Sequence, residues 1–308
     1  MPTPDRRAVI DLGTNTFHLL IADVSADEII REVYRERIFV KLASEGIGTI
    51  GEAPFNRGIA ALRRFRERID AHAVSGVRAV GTAALRTAAN GGAFVRAARE
   101  EADIRVELID GDREAQYITA GVLHAVPDTQ ENILIMDIGG GSTEFIIVER
   151  GAVRWRRSFP LGVSVLFNGF HGNDPITDEE VERLEAHLAR SLAPLERALA
   201  EFPARHLVGA AGTFDVLAER LKDKGALSHP TSRRLDLNDF PALYRRIVRA
   251  TFAERSALPD VPEERADMIV VAMILLRFVF RLAAIRTVTV SDYAMKEGIL
   301  FARTRDAE

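Results

Sequence analysis

Two short segments of the chain carry residue types that phosphate chemistry uses. Residues 11–16 read DLGTNT and residues 137–142 read DIGGGS, so each has a leading Asp, a Gly at the third place and a hydroxyl side chain at the sixth. Glycine lets a turn bring backbone N–H groups close to an anion, and hydroxyl groups add further donors. The Asp at the end of each preceding strand is suited to holding a hydrated divalent cation. The pair therefore predicts two related phosphate loops.

The second segment is the more specific of the two. Three consecutive glycines from Gly139 to Gly141 weaken a hairpin unless the backbone must approach another group closely. A plain turn is the alternative, and for residues 11–16 alone the two interpretations are evenly matched. A third glycine turn, GAAGT at residues 209–213, lies between a predicted strand and a predicted helix. A helix N-terminus there suits an anion or a nucleotide, but a close strand–helix junction explains the glycines equally well.

Three charged residues are candidates for the chemistry. Arg86 follows a predicted strand, and its guanidinium can bind a phosphate through two N–H groups, although a solvated arginine is the more common outcome. Glu114 begins a predicted helix and is a candidate general base. Its alternative role is structural, because acids suit the first helical turn and Asp112 is a natural cap. Glu144 can orient a water or a hydrated metal, or simply face solvent.

The elements that must position these residues occur twice in the same order. Three strands open the chain and are followed by alternating helices and strands, and three further strands begin at residue 133. The segment PDTQ at 127–130 separates the two halves. This pattern predicts a mixed sheet covered by helices in each half. The predicted domains are 1–126 and 127–294, with a final helix at 295–308 returning to the first.

Two long helices are predicted in the second half. One spans residues 177–199 and begins with a capping box formed by Thr177 and Glu180. Residues 268–285 form the most apolar stretch of the chain. Because Arg277 and Arg281 interrupt it, we expect a buried helix there rather than a membrane span.

Composition limits the classes of function. The 308 residues are 47% apolar and 28% charged, as in globular proteins, and suffice for two domains. A net charge of −4 provides no global attraction to nucleic acid or to an anionic membrane, so an anionic substrate needs a local basic patch. The absence of cysteine excludes disulfides, thiolate metal sites and a cysteine nucleophile, and fits a cytoplasmic location.

The order of the motifs points to a known family. Along the chain they are DLGTNT at 11–16, GTAALR at 81–86, GDREA at 111–115, DIGGGSTE at 137–144 and GAAGT at 209–213. This series resembles the exopolyphosphatase and guanosine pentaphosphate phosphohydrolase family, within the actin-like, sugar-kinase and acetate-kinase superfamily. The resemblance runs essentially from end to end of the chain, and the combination is more specific than any single motif.

The resemblance implies an α/β fold of two ribonuclease-H-like domains, each with a mixed five-stranded sheet, and a cleft between them. It also implies magnesium-assisted release of the terminal phosphate from inorganic polyphosphate or guanosine pentaphosphate. Glu114 matches the family's catalytic glutamate, Asp137 lies in the matching phosphate and metal loop, and Glu144 matches an acidic residue near that loop. We therefore predict Glu114 and Glu144 as catalytic residues, and Asp137 and Asp11 as metal-binding residues. The phosphate-binding positions are Gly13, Thr14, Asn15, Thr16, Arg86, Gly139, Gly140, Gly141, Ser142, Thr143, Gly212 and Thr213.

The chain departs from the family pattern in a few places. Arg113 stands where the family often has a glutamate before the catalytic one, and threonines replace serines in the first loop. The chain also lacks the C-terminal helical extension of the longer members, so we expect the short, two-domain form. No nucleic-acid or membrane partner is expected, and a homodimer is one option for the assembly.

Two alternative functions remain open from the sequence. A non-hydrolysing sensor of guanosine tetra- or pentaphosphate has the same phosphate loops, although Glu114 would then have no catalytic task. A small-molecule kinase has the same fold, but small sugar kinases of this length usually carry a cysteine-rich zinc motif that this chain lacks. Polyphosphate and guanosine pentaphosphate present the same terminal phosphates, so the sequence does not choose between them.

Overall fold

The chain forms two compact units. The computed structural model describes residues 5–25, 30–126, 131–221, 230–259 and 261–302. One unit combines Met1–Gly121 with Met295–Glu308, and the other is Val122–Ala294. The division lies a few residues before the 126/127 division predicted from the sequence, and the predicted boundary segment 127–130 is outside the described residues.

The first part of the chain supplies a five-stranded sheet and four helices among the residues described up to position 126. The strands are β1 Asp5–Leu12, β2 Thr16–Val24, β3 Ile30–Phe39, β4 Gly76–Gly81 and β5 Val106–Leu108. The helices are α1 Glu52–Ala71, α2 Ala83–Thr87, α3 Gly91–Ala102 and α4 Gly111–Ala125.

The sheet of the first unit has the strand order β3-β2-β1-β4-β5. The first three strands are antiparallel neighbours, whereas β4 is parallel to β1 and to β5. One face packs against α1 and α3, where Phe17 of β2 meets Phe94 edge-to-face at 6.0 Å between ring centroids. The C-terminal ends of β1, β4 and β5 share one edge of the sheet, which is where the connecting segments can form a site.

The second part of the chain repeats this opening and adds more helices. Its strands are β6 Ile133–Ile138, β7 Thr143–Glu149, β8 Ala152–Phe159, β9 His206–Ala210, β10 Ser232–Leu235 and β11 Thr287–Ser291. Its helices are α5 Val163–Phe170, α6 Asp178–Ser191, α7 Ala193–Glu201, α8 Gly212–Arg220, α9 Phe240–Arg249, α10 Phe252–Ser256 and α11 Ile269–Leu282. The last described helix, α12 Met295–Ala302, belongs to the first unit.

The second sheet has six strands rather than the predicted five. Its order is β10-β11-β9-β6-β7-β8, so the β8-β7-β6-β9 part repeats the β3-β2-β1-β4 part of the first sheet. The additional strand is β10, which pairs antiparallel with β11. Its sequence SRRL is four residues long and lacks the apolar alternation that identifies a half-buried strand, so pattern alone gave no signal. The two sheets otherwise have the ribonuclease-H-like arrangement that was predicted.

The predicted helix at 177–199 is two helices. The capping box is confirmed, because the Thr177 side chain accepts from the Glu180 amide and the Glu180 carboxylate accepts from the Thr177 amide. The helix ends at Ser191, and α7 begins at Ala193 with Pro194 in its first turn. Proline has no N–H to donate and clashes with the preceding turn, so a helix restarts there rather than continuing.

Helix α11 is a buried core helix, as predicted. All of residues 269–276 are buried, in the core cluster of the second unit. Arg277 and Arg281 both hydrogen-bond Glu185 of α6, which satisfies the charges that interrupt the apolar run. No helix in the described ranges is long and apolar enough to cross a membrane.

Candidate active site

The first glycine turn joins β1 to β2 and closes on itself. The Gly13 amide donates to the Thr16 carbonyl oxygen over 3.1 Å. A Cβ on Gly13 would lie 2.9 Å from that same oxygen, so the turn leaves no space for a side chain at this position. Thr14, at the tip, is buried. The sequence prediction of a tight strand–turn–strand is confirmed.

The segment after β3 fixes the orientation of this turn. The amides of Val40 and Lys41 both donate to the Asn15 carbonyl over 2.9 Å, and the Leu42 amide donates to the Thr14 carbonyl over 2.8 Å. Because the N–H of a trans peptide points away from the C=O of the same peptide, the Asn15 amide is directed away from this segment. Lys41 has a φ of 46°, a left-handed conformation that is uncommon for a residue with a side chain.

The second glycine turn has the same closure. The Gly139 amide donates to the Ser142 carbonyl over 3.0 Å, and a Cβ on Gly139 would lie 3.0 Å from that oxygen. Its carbonyl groups are also bound from outside, here by the first amides of α5. Val163 donates to the Gly139 carbonyl over 3.0 Å, and Ser164 donates to the Gly140 carbonyl over 2.9 Å.

The strand registers relate the two turns residue by residue. Asp11 lies opposite His18 across β1 and β2, and Asp137 lies opposite Glu144 across β6 and β7. His18 therefore occupies the position in the first unit that Glu144 occupies in the second. Asp137 and Glu144 are both buried, and the Ser158 hydroxyl donates to Glu144 Oε1 over 2.6 Å. Glu144 is not a solvent-facing acid, which was the alternative left open by the sequence.

Asp11 lies in a charged environment built by the chain's last described helix. Burial raises the pKa of Asp11 to about 7, while Lys296 acts to lower it and Glu297 to raise it. Glu297 is fully buried, with its Oε1 3.2 Å from both Arg35 Nη2 and Lys296 Nζ. Neither Lys296 nor Glu297 was predicted as a site residue, because their proximity to Asp11 comes from the return of α12 to the first unit.

Arg86 and Glu114 are brought together in the first unit. Arg86 Nη1 lies 3.9 Å from Glu114 Oε2 and also donates to the Ile109 carbonyl over 2.5 Å. Glu114 is 8% exposed, whereas about a third of the Arg86 side chain is exposed at 34%. The exposed part of the guanidinium retains donors for an anion.

The first turn of α4 is capped by Asp110 rather than by Asp112. The Arg113 amide donates to Asp110 Oδ1 over 2.8 Å, which is the bond that an N-cap residue makes with the third helical amide. The Arg113 side chain turns back onto Tyr117, donating to its hydroxyl over 2.8 Å and lying 4.7 Å from the ring centre. Arg78 of β4 donates to the same hydroxyl over 2.5 Å. These contacts tie the start of α4 to the sheet.

The two glycines of the third turn, Gly209 and Gly212, have different roles. A Cβ on Gly209 would lie 2.0 Å from the Phe214 ring, so this glycine serves the close strand–helix packing. A Cβ on Gly212 would lie 2.1 Å from Arg265 Nη2, so this glycine makes room for a guanidinium at the start of α8. Arg265 also lies 3.8 Å from Asp215. Arg265 was not predicted as a site residue, because no local pattern marks an arginine in the short 3₁₀ segment Glu263–Arg265.

Within each unit, the candidate residues gather where parallel strands end. The Thr82 amide donates to the Leu12 carbonyl over 3.3 Å, and the Ile109 amide donates to the Gly81 carbonyl over 3.1 Å. These bonds align the ends of β1, β4 and β5, so the first unit presents Asp11, Gly13, Thr14, Asn15, Thr16, Arg86 and Glu114 along one edge. In the second unit β6 and β9 are parallel neighbours, and the corresponding edge carries Asp137, Gly139, Gly140, Gly141, Ser142, Thr143, Glu144, Gly212 and Thr213.

Comparisons of the sequence and of the structure with known proteins point to the same family. A model described as the Ppx/GppA phosphatase family matches residues 20–306. The structure of an exopolyphosphatase from Cytophaga hutchinsonii is similar with a TM-score of 0.90 at 40% sequence identity, over 97% of each chain. The Ppx/GppA family member from Aquifex aeolicus is similar with a TM-score of 0.80 at 25% identity, over 99% of each chain.

Proposed function

The chain belongs to the Ppx/GppA phosphatase family, and we propose that it releases the terminal phosphate of inorganic polyphosphate by attack of a water molecule that Glu114 activates. The observation that carries this proposal is the Arg86–Glu114 pair at the strand edge that also holds the first glycine turn. A buried carboxylate beside a partly exposed guanidinium combines a proton acceptor with an anion-binding group. Glu144, also buried, is the second acid of the proposal and would orient a water molecule or a hydrated metal ion beside Asp137.

The reaction follows from what these residues can do. The N–H groups of the two glycine turns, the hydroxyls of Thr14, Thr16, Ser142 and Thr143, and the Arg86 guanidinium bind phosphate oxygens. Glu114 takes a proton from water while the water oxygen forms a bond to the terminal phosphorus. The bridging P–O bond breaks in line, and the shortened chain leaves with the electron pair on its terminal oxygen. Positioning and electrostatic stabilisation supply most of the rate.

Asp137 and Asp11 are the residues that would hold magnesium. Mg²⁺ is usually bound by one or two carboxylates together with waters and substrate phosphates, rather than by a cage of protein ligands. The buried carboxylate of Asp137, opposite Glu144, fits that requirement. No group of three or more His, Cys, Asp or Glu residues suited to a metal ion occurs among the described residues. The ion would neutralise phosphate charge.

Guanosine pentaphosphate is the second substrate of the proposal. Its terminal phosphate offers the same kind of oxygen atoms to the same loops, and the family that the motif series resembles includes guanosine pentaphosphate phosphohydrolases. The similarity to an exopolyphosphatase at 40% identity favours polyphosphate as the main substrate.

A substrate panel tests the proposal. The purified protein is given magnesium with short polyphosphate, long polyphosphate, guanosine pentaphosphate or ATP, and released phosphate is measured with and without a sugar acceptor. We expect release from polyphosphate without any acceptor, and slower or no release from ATP. Phosphate transfer only when an acceptor is present would identify a kinase instead. Tight binding of guanosine pentaphosphate with no release from any substrate would identify a sensor.

A further inference from the structure

Gly162, just before α5, is in closer contact with the second glycine turn than any side chain would allow. A Cβ on Gly162 would lie 2.3 Å from the carbonyl carbon of Gly140 and 2.4 Å from that of Gly141. All of these neighbours are backbone atoms, so no change of side-chain conformation can relieve the overlap. The start of α5 therefore packs directly on the peptide groups of the turn.

The start of α5 also sets the direction of those peptide groups. The first amides of a helix have no partner within the helix, and here Val163 and Ser164 donate theirs to the carbonyls of Gly139 and Gly140. In a planar trans peptide the next N–H points opposite to the C=O. The amides of Gly140 and Gly141 therefore both point away from α5. Two successive N–H groups facing one side form a concave anion-binding arrangement.

A buried side-chain contact secures the same junction. The Thr143 hydroxyl donates to the Leu161 carbonyl over 2.9 Å, which joins the first residue of β7 to the segment immediately before Gly162. The segment 161–164 thus holds the turn at its start, through the carbonyls of Gly139 and Gly140, and at its end, through Thr143.

We propose that Gly162 is a positioning residue, which lets the first turn of α5 orient the Gly140 and Gly141 amides toward the terminal phosphates of the substrate. The inference rests on the proposed function, since it assumes that this turn binds phosphate. The first unit uses a comparable support, in which the segment at Val40 to Leu42 donates to the carbonyls of its own turn.

Two variants and one control test the proposal. Gly162→Ala introduces the overlap, and Val163→Pro replaces the N–H that binds Gly139 with a ring carbon, which also pushes the Gly139 carbonyl away. Proline is tolerated at the first position of a helix, and Gly162 already has the extended backbone that a residue before proline requires, so α5 should form in this variant. Gly169→Ala is the control, because that glycine lies in the same helix with nothing within 4 Å of its added Cβ.

Binding and turnover are both measured. We expect the Kd for inorganic pyrophosphate, determined by calorimetry in EDTA, to rise by about tenfold or more in Gly162→Ala and Val163→Pro, as loss of one good anion contact would give. KM for short polyphosphate should rise by a similar factor, with a smaller change in kcat. Gly169→Ala should match the wild type within about twofold in all three quantities, since it alters no contact. Unchanged Kd and KM in both variants, or an equal loss in the control, would overturn the proposal.

A further readout separates this inference from the proposed function. In protein labelled with ¹⁵N-glycine, the Gly140 and Gly141 amide signals should shift on addition of pyrophosphate, and Val163→Pro should displace them in the ligand-free protein. If the wild type releases no phosphate from any substrate, the proposed function fails, while these signals still report the support from α5. Signals that Val163→Pro leaves in place would show that α5 does not orient the turn. If Gly162→Ala does not fold, Val163→Pro alone decides.

Discussion

The pairing of Glu114 with Arg86 gives each residue a restricted orientation. Arg86 Nη1 is held by the Ile109 carbonyl, and Glu114 Oε2 lies 3.9 Å from the same nitrogen. The Glu114 amide donates to the Asp110 carbonyl, and the adjacent Arg113 amide is capped by the Asp110 side chain, so the backbone below the carboxylate is fixed as well. A general base is most effective when its carboxylate is positioned before the substrate arrives.

Replacing Glu114 by glutamine tests its role as a base. Glutamine keeps the shape but cannot accept a proton, so we expect kcat for polyphosphate to fall roughly a hundredfold to ten-thousandfold. Substrate binding should change by less than about threefold, because the amide still fills the site without a repelling charge. Steady-state kinetics and pyrophosphate binding give the two quantities. Asp112→Asn is the control, since Asp112 is exposed in the same helical turn. A parallel loss of binding would instead indicate a structural role.

Motif spacing identified the candidate catalytic residues but not two residues that lie beside other predicted site residues. Glu114, Arg86 and the glycine turns stand in short local patterns, and the structure brings Arg86 and Glu114 together. His18 and Arg265 were not selected, because the importance of each depends on a contact between distant segments. The register of β1 and β2 places His18 opposite Asp11. The missing side chain of Gly212 leaves the space that the Arg265 guanidinium occupies. The cap at Asp110 was missed because Asp112 is an equally good cap in sequence.

At the scale of elements, one ion cluster ties the ends of the first three strands together. Asp23 of β2 lies opposite Arg6 of β1, and its carboxylate binds Arg6 Nε and Arg31 Nη2, each over 2.8 Å. Hydrogen bonds from Arg6 and Arg31 lower the pKa of Asp23 to about 2. Asp23 is 5% exposed, and its carboxylate is kept charged by these hydrogen bonds. The cluster therefore stabilises the pairing of β2 with β1 and with β3.

The Asp23 cluster predicts a pH-dependent contribution to stability. A carboxyl whose pKa is lowered on folding contributes fully above its unfolded value of 3.8, and the contribution is lost as the pH falls toward 2. We expect Asp23→Asn to cost about 1 kcal/mol at pH 7, less than the full shift would give because Arg31 is largely exposed. The difference from wild type should shrink between pH 4 and pH 2.5.

Urea unfolding at several pH values measures this difference. Glu32→Gln is the control, because the Glu32–Arg35 pair is between exposed groups and should contribute little at any pH. A difference between Asp23→Asn and wild type that stays constant down to pH 2.5 would contradict the assignment.

Some elements of the fold follow from local sequence, and others depend on contacts between distant segments. The three-strand opening of each half was predicted, because short apolar segments such as ILIMDI of β6 are bounded by turn residues, which is a strong strand signal. Strand β10 was missed because its extended conformation is fixed by pairing with β11, and its four residues SRRL carry no strand pattern of their own. The break between α6 and α7 at Leu192 was missed because the apolar period continues through Pro194. In each case tertiary contacts or a single backbone restriction decided the outcome.

At the scale of the whole chain, the two units keep one architecture and differ in their chemistry. Both have a glycine turn closed by the same backbone bond, at Gly13 and at Gly139. Opposite the leading aspartates, however, the first unit has His18 and the second has Glu144. The first unit also carries Glu114 and Arg86. The two copies thus keep the same turn geometry and carry different side chains beside it, so in the reaction proposed above they would have different tasks.

The C-terminal helix completes the first unit, and its fit depends on Gly298. A Cβ on Gly298 would lie 1.8 Å from the Tyr117 carbonyl oxygen and 3.0 Å from the Gly121 amide nitrogen, both in α4. The helices α4 and α12 can therefore cross at this point only if residue 298 has no side chain. The same crossing holds Glu297 and Lys296 near Asp11.

Gly298→Ala should consequently weaken the attachment of α12. We expect a loss of about 1–3 kcal/mol, the usual range for overpacking. The Tm should fall by roughly 2–4 °C for each kcal/mol. Calorimetry measures the change, and limited proteolysis of the ligand-free protein should show earlier cleavage near α12. Gly92→Ala is the control in the same unit, because its added Cβ would meet only Arg96 Nη1 at 3.8 Å. An equal Tm for Gly298→Ala and wild type would mean that the two helices can separate at no cost. The return of the chain end would then not be what fixes the surroundings of Asp11.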